Sequence, residues 1–326
     1  MGFAMDSRLV TIFGGSGFLG RQTVRALARA GWRIRVAVRH PNMSFFLKPA
    51  GAVGQIAAIK CDVTDVTQVA AALAGADAAV NLTGILYSGG GQNFEDVHAE
   101  GAGNIAQAAA NAGVKALVHV SAIGANSESH SAYAQTKALG EARVRAAFPD
   151  ATILRPSIIF GADDNFFNRF AGLARLSPIL PLIGGGKTKF QPVFVGNVAQ
   201  AIANALSGDA ARGKTYELGG PTVYSFKQLM EIVCEQTGRK RLLLPIPFGL
   251  ATFKAVFLQM APKPMLTPDQ VRLLKTDNVV SPTALTLADL CVTPTSVEAV
   301  LPAYLWRYRA KGEFADVVGA KAQSAE

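Results

Sequence analysis

Short runs of β-branched and other apolar residues alternate with alanine-rich stretches through residues 8–155. The apolar runs predict strands at LVTIF (9–13), RIRVAV (33–38), QIAAIK (55–60), AAVNL (78–82), ALVHVS (116–121) and ATILR (151–155). The alanine-rich stretches between them predict helices, among them 21–30, 101–112 and 132–147. Because parallel strands need right-handed helical crossovers, this alternation predicts an α/β protein with a Rossmann-type, doubly wound parallel sheet.

The alternation weakens after Pro156, where glycine and proline clusters appear at 184–186, 244–249 and 261–268. We therefore expect a dinucleotide-binding core over 1–155. A smaller, mixed substrate-type region over 156–312 should also complete the sheet and cap its carboxyl edge, where ligands bind in open α/β folds. The last residues, 313–326, are expected to form a disordered tail.

A glycine-rich turn separates the first predicted strand from the first helix. Gly14, Gly17 and Gly20 follow the spacing G-x-x-G-x-x-G. The first glycine allows a tight turn, the second lets the backbone approach a pyrophosphate, and the third permits close helix packing. A helix N-terminus also attracts phosphate. The turn therefore predicts a dinucleotide site rather than an ordinary strand-to-helix turn, with contacts from Gly14, Gly15, Ser16, Gly17, Phe18, Leu19 and Gly20.

The end of the second predicted strand bears on which dinucleotide binds. NAD-binding proteins place an acid there for the ribose hydroxyls, whereas this chain has Arg39 and His40. Because a guanidinium pairs with phosphate, NADP(H) is favoured, NAD(H) remains possible, and Arg39 in plain solvent is the alternative. Further cofactor contacts are expected after the third and fourth strands, at Asp62 and Val63 for the adenine and at Leu82, Thr83 and Gly84 for the ribose and pyrophosphate.

Composition favours a soluble or peripheral protein. The chain has 326 residues, 50% of them hydrophobic. Its mean hydropathy is +0.25, without an uninterrupted apolar run of about 18 residues that could span a bilayer. Residues 1–6 lack the regions of a signal peptide, so we expect a cytoplasmic location. The three cysteines are far apart, which indicates neither a disulfide framework nor a metal site.

The net charge of +9 leaves several classes of partner open. Lysines and arginines are spread along the chain, and no nucleic-acid-binding motif accompanies them, so we expect no nucleic-acid partner. A basic side that faces a membrane fits the charge better. The segment 242–264 is strongly apolar, and its basic flanks are Arg239, Lys240, Arg241 and Lys263. It predicts a helix at a membrane surface or against a membrane subunit; the alternative is a core helix of the smaller region.

The motifs GGSGFLG, CDVTD, NLTG, YAQTK and LRPSIIFG occur in the order and spacing of one superfamily. They resemble the extended and atypical short-chain dehydrogenases/reductases, of the NAD-dependent epimerase/dehydratase type. The stretch 273–314 further resembles the nucleotide-binding accessory subunits of respiratory complex I and their alphaproteobacterial relatives. This resemblance implies complex I subunits as partners, the inner face of the plasma membrane as location, and Pro156 and Ile158 as further cofactor contacts.

The resemblance also implies a catalytic pair, Tyr133 and Lys137. The two are four residues apart and so share a helical face. The ammonium is expected to lower the pKa of the phenol below about 10 and to bind the nicotinamide ribose. The superfamily's other catalytic positions differ: Ser121 matches a structural serine, Ala122 replaces the catalytic serine, and His98 replaces an asparagine.

These substitutions predict a protein that holds its cofactor with little or no turnover, as an accessory or assembly subunit of NADH:quinone oxidoreductase. The first alternative is an active NADP(H)-dependent reductase or sugar-nucleotide epimerase/dehydratase that uses Tyr133 and Lys137, with His98 and Ser121 as possible further members of the site. A second alternative is a regulator that senses NADPH.

Overall fold

A computed structural model of the chain describes residues 8–89, 91–261, 264–310 and 312. Its strands are β1 (Leu9–Phe13), β2 (Arg33–Val38), β3 (Ile56–Lys60), β4 (Ala78–Asn81), β5 (Ala116–Val120), β6 (Thr152–Pro156), β7 (Ile159–Phe160), β8 (Ile179–Ile183), β9 (Lys189–Phe190), β10 (Val193–Phe194), β11 (Thr215–Leu218), β12 (Tyr224–Ser225) and β13 (Leu242–Ile246). The predicted tail at 313–326 and the flanking residue Lys263 lie outside the described residues.

The α-helices are α1 (Phe18–Arg29), α2 (Val66–Leu73), α3 (Gly101–Asn111), α4 (Ala132–Ala147), α5 (Phe167–Leu176), α6 (Val195–Leu206), α7 (Phe226–Thr237), α8 (Phe248–Leu258), α9 (Pro268–Leu273), α10 (Val297–Val300) and α11 (Pro302–Leu305). Two irregular segments were not predicted: a 3₁₀ stretch at Pro41–Ala50 and a π-helical turn at Glu95–Glu100. Within the described ranges, no helix is both long and apolar enough to cross a membrane.

The central sheet confirms the predicted fold class. Its strand order is β11-β6-β5-β4-β1-β2-β3, and every neighbouring pair is parallel. From β1 the chain adds β2 and β3 on one side of the sheet and then β4, β5 and β6 on the other. The strand order therefore reverses between β1 and β4, which is where ligands bind in doubly wound sheets. Residues 10–13 of β1 and 78–81 of β4 are all buried, as expected for strands covered on both faces.

Local signals explain where the helices begin. Asp65 accepts hydrogen bonds from the backbone N–H groups of Thr67 and Gln68 and so caps α2. The Ser131 hydroxyl accepts from the backbone N–H of Ala134 and caps α4. Helix α1 differs, since its N-cap is Gly17, which offers no side chain to the first turn. The first N–H groups of α1 therefore lack the usual side-chain acceptor.

The chain divides into two compact units. The first takes the described residues of Met1–Ser157, Val195–Gly219 and Val280–Pro294, and the second those of Ile158–Phe194, Gly220–Val279 and Thr295–Glu326. The first unit contains the seven-stranded sheet, whose edge strand β11 comes from its second stretch of chain. The second unit contains three two-stranded sheets, β7 with β10, β8 with β13 and β9 with β12. Its core is rich in buried phenylalanine: Phe160, Phe167, Phe190 and Phe226.

Candidate functional site

The glycine turn after β1 brings its backbone close to the loop that follows β4. Gly14 has φ +77°, and a Cβ there would lie 3.3 Å from the carbonyl carbon of Leu82. Gly17 is the N-cap of α1, whose first turn contains no acidic residue. Because the N–H groups at a helix N-terminus carry positive partial charge, the turn presents a favourable site for a phosphate. Ser16, Phe18 and Leu19 lie on this same turn and helix start.

The last glycine of the motif allows α1 to pack directly on the turn. A Cβ on Gly20 would lie 2.5 Å from the carbonyl carbon of Gly15 and would also clash with the carbonyl oxygen of Gly14. Gly15 is confined from the other side, since its own Cβ would lie 2.9 Å from Cγ1 of Val36. A side chain at Gly15 or Gly20 would therefore push α1, β2 and the turn apart.

The side chains expected at the adenosine end lie at the ends of β2 and β3. Arg39 and His40 are both exposed, and Arg39 makes no hydrogen bond or ion pair with the part of the chain that the structure describes. Asp62 uses one carboxylate oxygen locally, since Oδ1 accepts from the backbone N–H and the hydroxyl of Thr64 at 3.0 and 2.8 Å. Val63 is buried beside it. A cavity of about 390 Å³ adjoins Asp62 and is also lined by Asp96 and Asn104.

The loop after β4 is fixed by a chain of hydrogen bonds. The backbone N–H and the hydroxyl of Thr83 both donate to Oδ1 of Asn81, at 3.0 and 2.6 Å. The Asn81 amide therefore presents its NH₂ group to Nδ1 of His119 at 3.1 Å. Gly84 follows, and a Cβ there would lie 3.4 Å from Nζ of Lys137. The loop expected at the ribose is thus anchored to β5 and adjoins the Lys137 ammonium.

Lys137 and Tyr133 lie on α4, as predicted, but the expected pKa of the phenol is wrong for this structure. Burial lowers the pKa of Lys137 to about 8, and its Nζ donates to the Val120 carbonyl at 3.2 Å. Burial also raises the pKa of Tyr133 to about 12. The Lys137 ammonium was expected to have the larger effect on the pKa of Tyr133, whereas desolvation of the phenol outweighs it. Tyr133 is therefore a neutral phenol at physiological pH.

His98 lies on the π-helical turn, with both ring nitrogens engaged. Nε2 accepts from the backbone N–H of Ile85 at 3.0 Å, so the proton lies on Nδ1, 3.2 Å from the Thr136 hydroxyl. Burial, with the charge of Lys137 as the second cause, lowers its pKa to about 3. The ring also packs edge-on against Tyr133. His98 is thus a neutral, hydrogen-bonded member of the site.

Two buried polar atoms at the end of β5 have no hydrogen-bond partner within the described residues: Oγ of Ser121 and Nε2 of His119. Because Asn81 donates to Nδ1, the proton of His119 is on Nε2. Burial and the charge of Lys137 lower the pKa of His119 to about 3. Sequence reasoning missed His119, although it lies two residues before Ser121 and alternate strand residues share a face.

An ion-pair network next to Lys137 was also missed. Glu141 lies one turn after Lys137 on α4, and its carboxylate accepts hydrogen bonds from Nε and Nη2 of Arg155 at 2.9 and 2.6 Å. Arg155 on β6 is also 3.8 Å from Glu217 on β11. The adjacent Pro156 accepts at its carbonyl from the backbone N–H of Ile123. Ile158, in contrast, belongs to the second unit.

The first unit thus brings most of the predicted cofactor residues to the carboxyl ends of β1, β2, β3, β4 and β5. The close approaches at the glycine turn, the exposed Arg39 and the buried Lys137 beside Gly84 fit the phosphates, the adenosine end and the nicotinamide ribose of a dinucleotide. Among the described residues, no group of histidine, cysteine, aspartate and glutamate could hold a metal ion.

Comparisons with known proteins agree with this architecture. A family described as NAD(P)H-binding matches residues 14–166, and the 3-beta hydroxysteroid dehydrogenase/isomerase family matches residues 123–240. NADH dehydrogenase (ubiquinone) 1 alpha subcomplex subunit 9, mitochondrial, of Arabidopsis thaliana is 36% identical over 93% of this chain and 79% of its own length. The mitochondrial NADH-ubiquinone oxidoreductase 40 kDa subunit of Neurospora crassa is 31% identical, over 95% and 82%.

A solved structure supports the fold alone. DesIV, a dTDP-glucose 4,6-dehydratase from Streptomyces venezuelae with NAD bound, superimposes with a TM-score of 0.72. The alignment covers 92% of this chain and 96% of DesIV, at 21% identity. The Rossmann-type sheet and the smaller second unit are therefore shared with nucleotide-dependent enzymes of distant sequence.

Proposed function

The chain belongs to the family of NADH dehydrogenase (ubiquinone) 1 alpha subcomplex subunit 9, and we propose that it is an NADP(H)-binding accessory subunit of a respiratory NADH:quinone oxidoreductase. The observation that carries this proposal is the similarity to subunits of that enzyme, since the alignments cover 93–95% of this chain and so extend through both units. Bound nucleotide then stabilises the fold by mass action, because it binds the folded state alone.

Little or no turnover fits the chemistry of the site. A general acid/base works best when its pKa lies near the working pH, whereas the pKa of Tyr133 is about 12. Ala122 offers no hydroxyl for a substrate oxygen beside it. The histidine at the asparagine position already uses both ring nitrogens. These features support a cofactor that is retained rather than consumed.

Arg39 supports NADP(H) over NAD(H). It is an exposed guanidinium at the end of β2, where a carboxylate would repel a 2′-phosphate, and it makes no ion pair with the described residues that would compete for it. We expect Arg39→Ala to weaken NADPH binding about 10- to 100-fold, since charge-assisted hydrogen bonds contribute about 1.5–3 kcal/mol. Binding of NADH should change less than about threefold. Isothermal titration with both nucleotides measures this, and equal loss for both would show that Arg39 does not select the phosphate.

We further propose that the protein is peripheral on the inner face of the plasma membrane, and that α8 supplies the contact. On this helix only Ala251 and Ala255 are buried. Phe253 and Phe257 are 62% and 60% exposed and touch each other edge to face. The exposure of both rings favours a surface position over the alternative of a core helix, since α8 packs through Ala251, Ala255 and Phe248. Exposed aromatic rings beside Lys254 suit the interface of an anionic bilayer.

One fractionation experiment tests both parts of this proposal. The chain, tagged at its carboxyl terminus in its native organism, is expected to co-migrate on a native gel with NADH dehydrogenase activity from membranes in mild detergent. The double variant Phe253→Ser/Phe257→Ser should move mostly to the soluble fraction, because removing two exposed rings removes about 3 kcal/mol or more of interfacial burial.

The matched control is Met43→Ser/Phe45→Ser, which removes two exposed apolar side chains, 75% and 52% exposed, from the first unit. This control should stay with the membranes. A wild-type chain that runs free and soluble would refute the accessory role. A phenylalanine variant that stays bound would refute only the contact through α8.

A further inference from the structure

The Lys137 ammonium is buried in surroundings that supply very little negative charge. Its side chain lies at 4% relative exposure. The titratable groups that interact with it are His98 from the π-helical turn, His119 from β5 and Glu141 from its own helix. Tyr133, one turn earlier on α4, packs against His98. Both histidines and the phenol are neutral at pH 7. Among the described residues that act on Lys137, Glu141 alone is negative and favours its charged form.

Glu141 is itself held in place by a network that reaches across the sheet. It is buried, and it lies four residues after Lys137 on the same face of α4. Arg155 donates two hydrogen bonds to its carboxylate, at 2.9 and 2.6 Å. Arg155 is in turn 3.8 Å from Oε1 of Glu217, and Oε2 of Glu217 accepts from the backbone N–H of Ser281 at 2.8 Å. The network spans α4, β6, β11 and the stretch 280–294.

We propose that Glu141 is a positioning residue of the nucleotide site, which keeps the buried Lys137 ammonium charged, and that the two hydrogen bonds from Arg155 hold the Glu141 carboxylate where it does so. The inference rests on the proposed binding of NADP(H), because in that site the charged Lys137 ammonium donates hydrogen bonds to the nicotinamide ribose. A charged donor forms stronger hydrogen bonds than a neutral amine.

The direction of the effect follows from electrostatics. Burial disfavours an ammonium, and a nearby carboxylate favours it. With Glu141 present, the pKa of Lys137 is about 8, so the ammonium is mostly charged at pH 7 and is lost as the pH rises through that value. Without the carboxylate, Lys137 loses its proton at a lower pH. Its hydrogen bonds to the ribose then weaken under neutral conditions and return on acidification.

The test is the dissociation constant of NADPH between pH 6 and 9 for the wild-type chain and for Glu141→Gln, which keeps the size of the side chain. The ratio of the two constants is expected to be near one at pH 6 and to rise to about tenfold at pH 8. The titration of the ligand's own phosphate cancels in this ratio. Adenosine 2′,5′-bisphosphate, which lacks the nicotinamide ribose, should give a ratio near one at every pH.

Two further variants separate charge from structure. Glu217→Gln removes the charge of the other carboxylate that lies next to Arg155. The ratio of its dissociation constant for NADPH to that of the wild type is expected to be the same at every pH. Glu141→Asp keeps the charge and should restore the wild-type profile to within about threefold. A Glu141→Gln ratio that is the same at every pH would overturn the proposal, because it would leave Glu141 only a structural role.

A measurement on the wild-type chain covers the case in which Glu141→Gln does not fold. Lysines labelled with carbon-13 report each titration by NMR, and Lys137→Arg identifies the signal. A titration of Lys137 near pH 8 is expected; an ordinary value above 10 would show that its ammonium needs no counter-ion. If the wild-type chain binds no NADPH, the proposed binding of NADP(H) is refuted. If it binds NADPH but the ratio of the dissociation constants for Glu141→Gln and the wild type does not change with pH, only the proposed role of Glu141 is refuted.

Discussion

Gly20→Ala is expected to abolish tight nucleotide binding and to destabilise the first unit by about 3 kcal/mol. The new methyl group would lie 2.5 Å from the carbonyl carbon of Gly15. Because the clashing atoms belong to the backbone, no side-chain rotation relieves the contact, and α1 must move away from the turn. The N–H groups proposed to bind the phosphates move with it, so the dissociation constant of NADPH should rise more than about 100-fold, at about 1.4 kcal/mol per tenfold change.

Urea unfolding and titration with NADPH measure the two effects together. Gly208→Ala is the matched control in the same unit, since a Cβ there meets no atom within 4 Å and the residue has no positive φ. It should change stability by less than about 0.5 kcal/mol. A Gly20→Ala chain as stable as the wild type would mean that α1 does not pack on the turn as closely as described.

Acidification from pH 7 to pH 5 is expected to remove about 4 kcal/mol of folding stability through His98 and His119. Both have a folded-state pKa of about 3, against about 6.5 when unfolded. Between these values the unfolded chain binds more protons, so the free energy of unfolding falls as the pH falls. Linkage gives about 2 kcal/mol for each histidine over this range.

Urea unfolding at the two pH values measures the loss. His119→Leu should be less stable at pH 7, since it leaves the Asn81 amide without its acceptor, but its loss between pH 7 and 5 should be about half that of the wild type. His130→Gln, an exposed histidine of the same unit, should leave the loss unchanged. Equal losses in all three chains would assign the acid sensitivity to other groups.

The sequence predicted the parts of the site that depend on local pattern. Helix α4 occupies the predicted range 132–147, and β1 and β2 have their predicted bounds. Spacing and residue type were enough there, because a glycine turn between a strand and a helix works through its own backbone. Complex I subunits were predicted as partners from the longer stretch 273–314, because its resemblance indicates a family.

Features that depend on the assembled interior were not predictable in the same way. The pKa of Tyr133 was expected to fall and instead rises, because desolvation depends on what packs around the ring. Glu141 and Arg155 meet only when α4 lies on β6, and no sequence pattern pairs the two residues. Helix α8 is apolar around most of its circumference, so periodicity could not tell whether Phe253 faced a core or the surface.

The division of the first unit into three stretches of chain constrains how it can be made. Strand β11, which pairs with β6 at the sheet edge, is synthesised only after residues 158–194 of the second unit. During translation β6 therefore stays an unpaired edge until residue 218 has left the ribosome, and such edges invite aggregation. The dinucleotide-binding unit cannot be exchanged between proteins by joining segments at one boundary.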